Sequence, residues 1–289
     1  MKVSVIIPHY NDLVSLDLCL SALGRQSFPA HDTEIIVADN GSPQGEAAVA
    51  AIVDGRARLV LVPEKGAGPA RNGGVAAATG DILAFTDADC QPDPHWLENG
   101  VAALSRYDFL GGGIDVLTAD DRRMSPTEAF ERVFAFDARS YVVEKGFAAT
   151  CNLFCPRPLF DAVGGFGVGV SEDVDWSRRA TERNFRIGYV PGAVVAHPAR
   201  RNWGELKNKW LRINAETYAL VVREKYGQWK WAMRALALPL SAIVHSGKVF
   251  RSRRIGGLRQ RIDALAILYR LRLWRMLDAF RLMRGARRG

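Results

Sequence analysis

Short apolar runs alternate with helix-spaced apolar residues through the first ninety positions of this 289-residue chain. Residues 3–7 form a β-branched run that reads as a buried strand. Leu13, Leu16, Leu20 and Leu23 recur at helical spacing, which predicts a helix over 13–23. The alternation continues with a strand over 34–38, a helix over 47–53, a strand over 59–62, a small-residue helix over 68–78 and a strand over 81–86. Repeated β-α units with short connections predict a parallel sheet with helices on both faces. Ligands on such sheets bind beyond the carboxyl ends of the strands. Pro8-His9-Tyr10-Asn11, Asp39-Asn40-Gly41-Ser42 and Asp87-Ala88-Asp89 all fall there.

The pattern loosens after residue 95. Helices are predicted over 96–104, 127–141 and 173–184, and strands over 109–114 and 187–190, the last leading to Val194-Val195-Ala196-His197. Gly164-Gly165-Phe166-Gly167-Val168-Gly169 is expected to be mobile and to order around a nucleotide. Near the C-terminus, Ile262, Leu265, Ala266, Tyr269, Leu273, Met276, Leu277 and Phe280 repeat at helical spacing. Arg270, Arg275, Asp278 and Arg281 lie largely on the other face, with arginines continuing to Arg287 and Arg288. Such a basic amphipathic helix suits an anionic lipid surface. Packing on the rest of the chain, or on a second copy, is the plainer alternative. The uncharged stretch 235–244 is interrupted by Pro239 and falls short of the ~20 apolar residues a membrane span needs. No transmembrane helix is expected, although a short interfacial segment stays open.

The charge distribution sharpens this division. Residues 1–197 carry 17 Lys and Arg against 26 Asp and Glu, whereas 198–289 carry 22 against 5, for a net charge of +8 overall. An acidic body with a basic tail predicts a catalytic domain over 1–200 and a basic helical region over 201–289 whose partner is anionic. Nucleic acid is not expected, because no recognition motif accompanies the charge. With 48% hydrophobic residues a sizeable core is available. The four cysteines are too few and too irregular for a disulfide framework, and residues 1–8 hold too short an apolar stretch for a signal peptide. The expected location is therefore cytoplasmic, peripheral at the inner face of the cell membrane.

Asp87 and Asp89 follow the apolar run 82–85, and alternate residues of an extended segment point the same way. Paired carboxylate oxygens suit Mg²⁺ or Mn²⁺ shared with substrate phosphates. A turn with solvated charges would have the same sequence. The two readings are separated by the neighbouring motifs. The segments 3–11 and 35–42, then Ala70-Arg71-Asn72-Gly73-Gly74, Thr79-Gly80-Asp81, Asp87-Ala88-Asp89, Glu172-Asp173 and His197, resemble in order the family 2 glycosyltransferases, over roughly residues 3–200.

The resemblance implies a GT-A fold: α/β, with a Rossmann-like, mixed but mostly parallel sheet flanked by helices, here followed by a basic helical appendage. It implies inverting sugar transfer from a nucleoside diphosphate, UDP first, to a hydroxyl of a saccharide or lipid-linked acceptor of the cell envelope. Pro8, Tyr10, Asn11, Asp39, Asn40, Arg71, Asp81, Asp87 and Ala88 would then contact the nucleotide, with Asp39 accepting from the uracil or ribose. Asp39-Asn40-Gly41-Ser42 is also a plain turn sequence. Arg71 is expected near the diphosphate or base. A structural role for Asp81 stays open. Asp89 is expected to ligate Mn²⁺ or Mg²⁺ directly, and Asp87 to touch the ribose or reach the metal through water. His197 would be a third ligand that favours Mn²⁺, or a strand-end histidine with one hydrogen bond. Asp173 matches the general base, with Glu172 competing, although capping acids at a helix start look the same. Asn152 and Trp176 are expected on the acceptor side, with Cys151 in place of the family's smaller residue, and Gly111-Gly112-Gly113 and 164–169 bordering the acceptor cleft. His9 also departs from the family's smaller residue, and no role is drawn from it.

A nucleotidyltransferase of similar fold would carry a glycine-rich loop after the first strand, where Pro8-His9-Tyr10-Asn11 stands. A non-catalytic sugar-nucleotide or membrane-binding scaffold would not need intact Asp87, Asp89 and Asp173. A dehydrogenase is excluded by the lack of Gly-x-Gly-x-x-Gly after that strand.

Overall fold

The computed structural model describes residues 1–169 and 171–285. Arg287 and Arg288 lie outside them. The first half follows the predicted alternation: β1 (Val3–His9), α1 (Leu13–Leu23), β2 (Thr33–Asp39), α2 (Glu46–Val53), β3 (Arg58–Leu61), α3 (Ala67–Ala77) and β4 (Ile82–Thr86). There follow β5 (Gln91–Pro92), α4 (Trp96–Ala103), β6 (Phe109–Leu117), α5 (Pro126–Phe134), α6 (Ala138–Val143), β7 (Asn152–Pro156), α7 (Arg157–Val163), α8 (Glu172–Glu182) and β8 (Ile187–Pro198). Three long helices close the described chain: α9 (Trp203–Val221), α10 (Gly227–Arg251) and α11 (Leu258–Gly285).

Among the described residues the strands form one sheet in the order β3-β2-β1-β4-β7-β6-β8-β5. β1 pairs in parallel with β2 and β4, and β2 with β3, whereas β7 runs antiparallel to β4 and β6. The α/β class and the mixed, mostly parallel sheet expected from the sequence are therefore present. The two-residue side-chain period of β1 divides the core. Val3, Val5 and Ile7 pack with Leu16, Leu20, Val49 and Trp96 on one face, and Ile6 packs with Phe85, Phe109 and Trp176 on the other. Each such apolar side chain contributes about 1.5–3 kcal/mol on burial. All four cysteines are buried free thiols.

The chain divides into two compact units, one formed by 1–115 with 136–197 and the other by 116–135 with 198–289. The expected cut at residue 200 is thus corrected: α5 belongs to the second unit. The single helix expected over 127–141 is likewise two helices. Phe136 sits at φ 52°, a left-handed backbone that costs a residue with a Cβ roughly 1–2 kcal/mol and ends the helical run. Ser125 and Glu128 start α5 with a capping box, and Asp137 caps α6.

The second unit is helical. Glu131 on α5 is buried, accepting from Lys209 Nζ at 3.0 Å and the Arg200 backbone N–H at 2.8 Å. α10 runs unbroken through Pro239. On α11 Ile262, Tyr269, Leu273 and Leu277 of the apolar stripe are exposed, whereas Arg275 and Asp278, expected on the polar face, are buried with Ala264, Ile267, Leu268, Leu271 and Ala279. The buried pair is affordable because Asn214 donates to Asp278 and accepts from Arg275. No helix among the described residues is long and apolar enough to cross a membrane.

Gly111, Gly112 and Gly113 do not border a cleft; they are buried inside β6. A Cβ at Gly112 would strike the Ala193 carbonyl oxygen and the Asn152 side chain. Gly112→Ala is expected to cost about 3 kcal/mol, at the top of the usual overpacking range. Gly247→Ala, in open space on α10, should be neutral or gain up to about 1 kcal/mol of helix propensity. Urea midpoints for the two variants check this, and equal midpoints would refute it.

Candidate functional site

The parallel strands β1 to β4 end on one edge of the sheet, and the loops leaving that edge build the site. His9 and Asp39 are register partners across β1 and β2, and His9 Nδ1 lies 2.8 Å from Asp39 Oδ1. Asp39 also accepts from the Ser42 hydroxyl at 2.5 Å and from the Gly41 and Ser42 backbone N–H groups at 3.1 and 3.0 Å. Burial opposes ionisation of Asp39, but the Ser42 and His9 hydrogen bonds outweigh it and hold the carboxyl below its ordinary range. A carboxylate has about four acceptor positions, and four donors already occupy these two oxygens. Asp39 therefore shapes the turn, one of the two roles expected of it, at the strand end where a nucleotide's base or ribose was expected. Asn40 is similarly committed: its amide donates to the Val62 and Glu64 carbonyls and accepts from Gly66 N–H, clamping the loop after β3.

What this loop cluster leaves open is Tyr10, 57% exposed, with Lys65 Nζ 5.5 Å from its ring centroid. Lys65 is itself steadied by the Asn40 carbonyl at 2.7 Å. Asn11, at φ 59°, donates its N–H to Ser42 Oγ, and Pro8 is the last-but-one residue of β1 just behind.

Beyond β4 the two aspartates diverge. Asp87 Oδ1 lies 2.6 Å from Arg71 Nη2, and Arg71 Nη1 lies 2.9 Å from Glu172 Oε1. The Arg71 side chain is only 3% exposed, so this guanidinium on α3 ties the end of β4 to the start of α8. Burial opposes its charge, but Asp87 and Glu172 more than offset that and raise its pKa. Asp89 instead faces His197 on β8, with Oδ2 3.4 Å from Nε2. The Phe136 ring lies 4.4 Å from the imidazole, which explains what the left-handed residue between α5 and α6 supports. Asp89, His197 and the buried Cys90 thiol bring one donor atom each within 4.8 Å of one another. An oxygen and an imidazole nitrogen at that separation fit a shared divalent cation, and the nitrogen favours Mn²⁺ over Mg²⁺. Ala88, between the two aspartates, is buried.

Asp173 stands in the first turn of α8. Ser171 Oγ and the Val174 N–H both donate to its Oδ1, at 2.9 and 2.8 Å, leaving Oδ2 unengaged among the described residues. Burial, and then the Glu172 charge, raise its pKa. The neighbouring acids are thus distinguished by environment: Glu172 is tied to a cation, whereas Asp173 is a buried carboxylate, raised above its own ordinary range, with an open oxygen. The glycine-rich segment before them is anchored in its first half, contrary to expectation. Asn72 makes two hydrogen bonds with the Phe166 backbone, and Arg179 and Trp176 donate to the carbonyls of Val163, Gly164 and Gly165.

Three further expectations are corrected. Asp81 lies at the amino end of β4, roughly 20 Å along the strand from Asp87 at 3.3 Å per residue; it accepts from the Lys2 N–H at 2.9 Å and holds the opposite edge of the sheet. Asn152 is buried, accepting from Trp96 Nε1 and donating to the Gly113 and Ala193 carbonyls, so it braces the interior rather than meeting an acceptor. Trp176 is fully buried among Phe109, Phe160 and Phe166. Sequence reasoning passed over His9, Asn72 and Phe136. A histidine closing a buried strand opposite an aspartate was the available signal for the first; nothing local marks the other two.

A family model described as Glycosyl transferase family 2 matches residues 4–173. The chain is 32% identical over 219 residues to Glycosyltransferase AglE of Haloferax volcanii, covering 73% of this chain and 71% of that protein. It is 35% identical over 104 residues to Validoxylamine A glucosyltransferase of Streptomyces hygroscopicus, covering 35% of this chain and 25% of that one. In fold it is similar to a solved mannosyltransferase, PcManGT from Pyrobaculum calidifontis in complex with GDP-Man and Mn²⁺, with TM-score 0.59, 19% identity and coverage of 96% and 85%. The chain belongs to glycosyltransferase family 2, has the GT-A architecture and is an enzyme of glycosyl transfer.

The raised Asp173 pKa sets a pH dependence. A base must be deprotonated, so in the role the family resemblance implies for Asp173, lowering pH through its raised pKa would remove activity earlier than an ordinary aspartate, near 4, would. The acid limb of kcat/KM for transfer is expected above that value. A limb at or below pH 4 would contradict the assignment.

Proposed function

We propose that this chain transfers a sugar with inversion from a nucleoside diphosphate donor, UDP first, to a hydroxyl of a saccharide or lipid-linked acceptor. The observation that carries the reading is Arg71, which fixes Asp87, beside the diphosphate end, and Glu172, beside the base, on one guanidinium. Tyr10 and Lys65 offer a face and a charge to the base and phosphates. Asp89 and His197 would hold the divalent cation, Mn²⁺ in preference to Mg²⁺. Such a cation, when bound, offsets the charge developing on the leaving diphosphate. Asp173 takes the proton from the attacking hydroxyl through Oδ2, on the side of the sugar away from the leaving group. The GDP-Man in the mannosyltransferase makes GDP the first alternative to UDP.

The same reading places the enzyme at an anionic membrane surface. Trp229, Met233, Leu236, Leu240 and Val244 form an exposed stripe at helical spacing on α10, within a region rich in arginine. Leu240→Glu with Val244→Glu should abolish sedimentation with phosphatidylglycerol vesicles; unchanged sedimentation would remove the membrane from the account.

For the chemistry, Asp173→Asn should lower kcat about 10²–10⁴-fold, the usual worth of a general base, while calorimetry finds nucleoside diphosphate affinity unchanged. A variant with full turnover would refute the base. If wild type binds the nucleotide but never turns over with any acceptor, the scaffold reading replaces the enzyme's mechanism.

A further inference from the structure

His197 reaches the candidate cation site from the end of β8, but its own bonds do not aim it. Ala193, Val195 and His197 alternate along that strand and are all buried, so the imidazole leaves it on the core face. β5 pairs antiparallel with β8, Gln91 opposite Ala196, which brings Asp89 and Cys90 alongside. From there the ring can still turn, because the Cβ–Cγ torsion of a histidine has broad, roughly two-fold preferences. The 3.4 Å between its Nε2 and Asp89 Oδ2 is long for a charge-assisted hydrogen bond, so that contact fixes the turn poorly.

The Phe136 ring meets the imidazole. The two centroids are 4.4 Å apart and the planes are inclined by 38°, a close contact for an aromatic pair. Four non-glycine residues among the described ones take a positive φ, and two are asparagines, which tolerate it. Phe136, at φ 52°, is a bulky aromatic for which this backbone is an outlier. Strain of that kind persists only where the surroundings over-determine it, and it gathers at functional sites. Here the next residues supply the constraint. Asp137 caps α6 by accepting from the Ser140 N–H, and Ala138 is buried in the same apolar cluster as Ala193 and Val195, with Phe136 packed against it.

We propose that Phe136 is a positioning residue for the divalent cation: its left-handed backbone holds the ring against His197, and the ring keeps Nε2 turned toward Asp89 before the metal arrives. The inference rests on the assignment of Asp89 and His197 to the cation. Two consequences follow from the contact. The imidazole loses its rotational freedom in advance, so metal binding need not order it. The ring also covers one face of the imidazole, which leaves the approach to the Asp89 side, 36% exposed against 6% for His197. Groups that orient the ligands of a metal are worth about 10–100-fold in its affinity.

Mn²⁺ is titrated into the full chain with saturating UDP, and in parallel with GDP, while water-proton relaxation reports the metal held on the protein. Wild type is compared with F136Y, which keeps the ring, with F136A and F136G, which remove it, and with D89A. F136A and F136G should weaken Mn²⁺ about tenfold or more, and F136Y less than about threefold. Melting temperatures separate placement from plain stability. F136G should melt above F136A, because glycine takes this backbone without strain, yet the two should match in Mn²⁺ affinity within about twofold. Ring-free variants that bind as wild type does, a folded F136Y as weak as F136A, or affinities that follow the melting order would overturn the inference. If Mn²⁺ binds wild type and is lost in D89A but is indifferent to Phe136, the metal assignment stands and this inference falls. If wild type holds no Mn²⁺ with either nucleotide, both fall.

Discussion

One buried guanidinium carries the geometry of the catalytic site. Arg71 is held inside the protein by two carboxylates from segments 85 residues apart in sequence, the turn after β4 and the start of α8. A buried arginine cannot shed its charge, and removing it from water costs several kcal/mol that only close anionic partners offset. The cost falls if Asp87 and Glu172 stay where they are, so the bridge fixes both ends of the proposed reaction path. It also consumes Glu172 and leaves Asp173 as the acid with an unengaged oxygen. Asp89 faces His197, 3.4 Å away.

Around that bridge the parallel sheet does the placing. Four strands ending at one edge bring loops from residues 10, 40, 65 and 88 together. The aspartate and asparagine after β2 then spend their hydrogen bonds on the loops themselves. The glycine-rich approach to α8 shows the same economy: Asn72 fastens Phe166, and Gly68 is small enough to let the Gly167 carbonyl pass close by.

Much of this was legible in the sequence. Apolar periodicity located β1 to β4 and gave α1 its bounds, because each element buries one face in a single core. Ordered motifs identified the family and brought Arg71, Asp87, Asp89, Glu172, Asp173 and His197 forward as candidates; their pairing needed three dimensions, since nothing local says that Arg71 meets Glu172. Asp81 was put with the nucleotide on resemblance alone, although the predicted strand over 81–86 already set it at the amino end, where the structural role left open for it fits. Asn152 and Trp176 were set on the acceptor side by the family resemblance, yet both side chains are buried and donate to backbone carbonyls. On α11 two apolar stripes compete. The one with larger side chains is largely exposed, whereas the packed one carries Arg275 and Asp278, whose mutual hydrogen bonding through Asn214 no helical wheel reveals.

The most direct measurement of the central claim is the melting temperature with UDP and with GDP, each with and without Mn²⁺, on wild type and Asp89→Ala. The account predicts a rise that requires nucleotide and metal together in the wild type, and its loss in the variant. An equal rise in Asp89→Ala, or a rise indifferent to Mn²⁺, would contradict the metal–diphosphate site on which the mechanism stands.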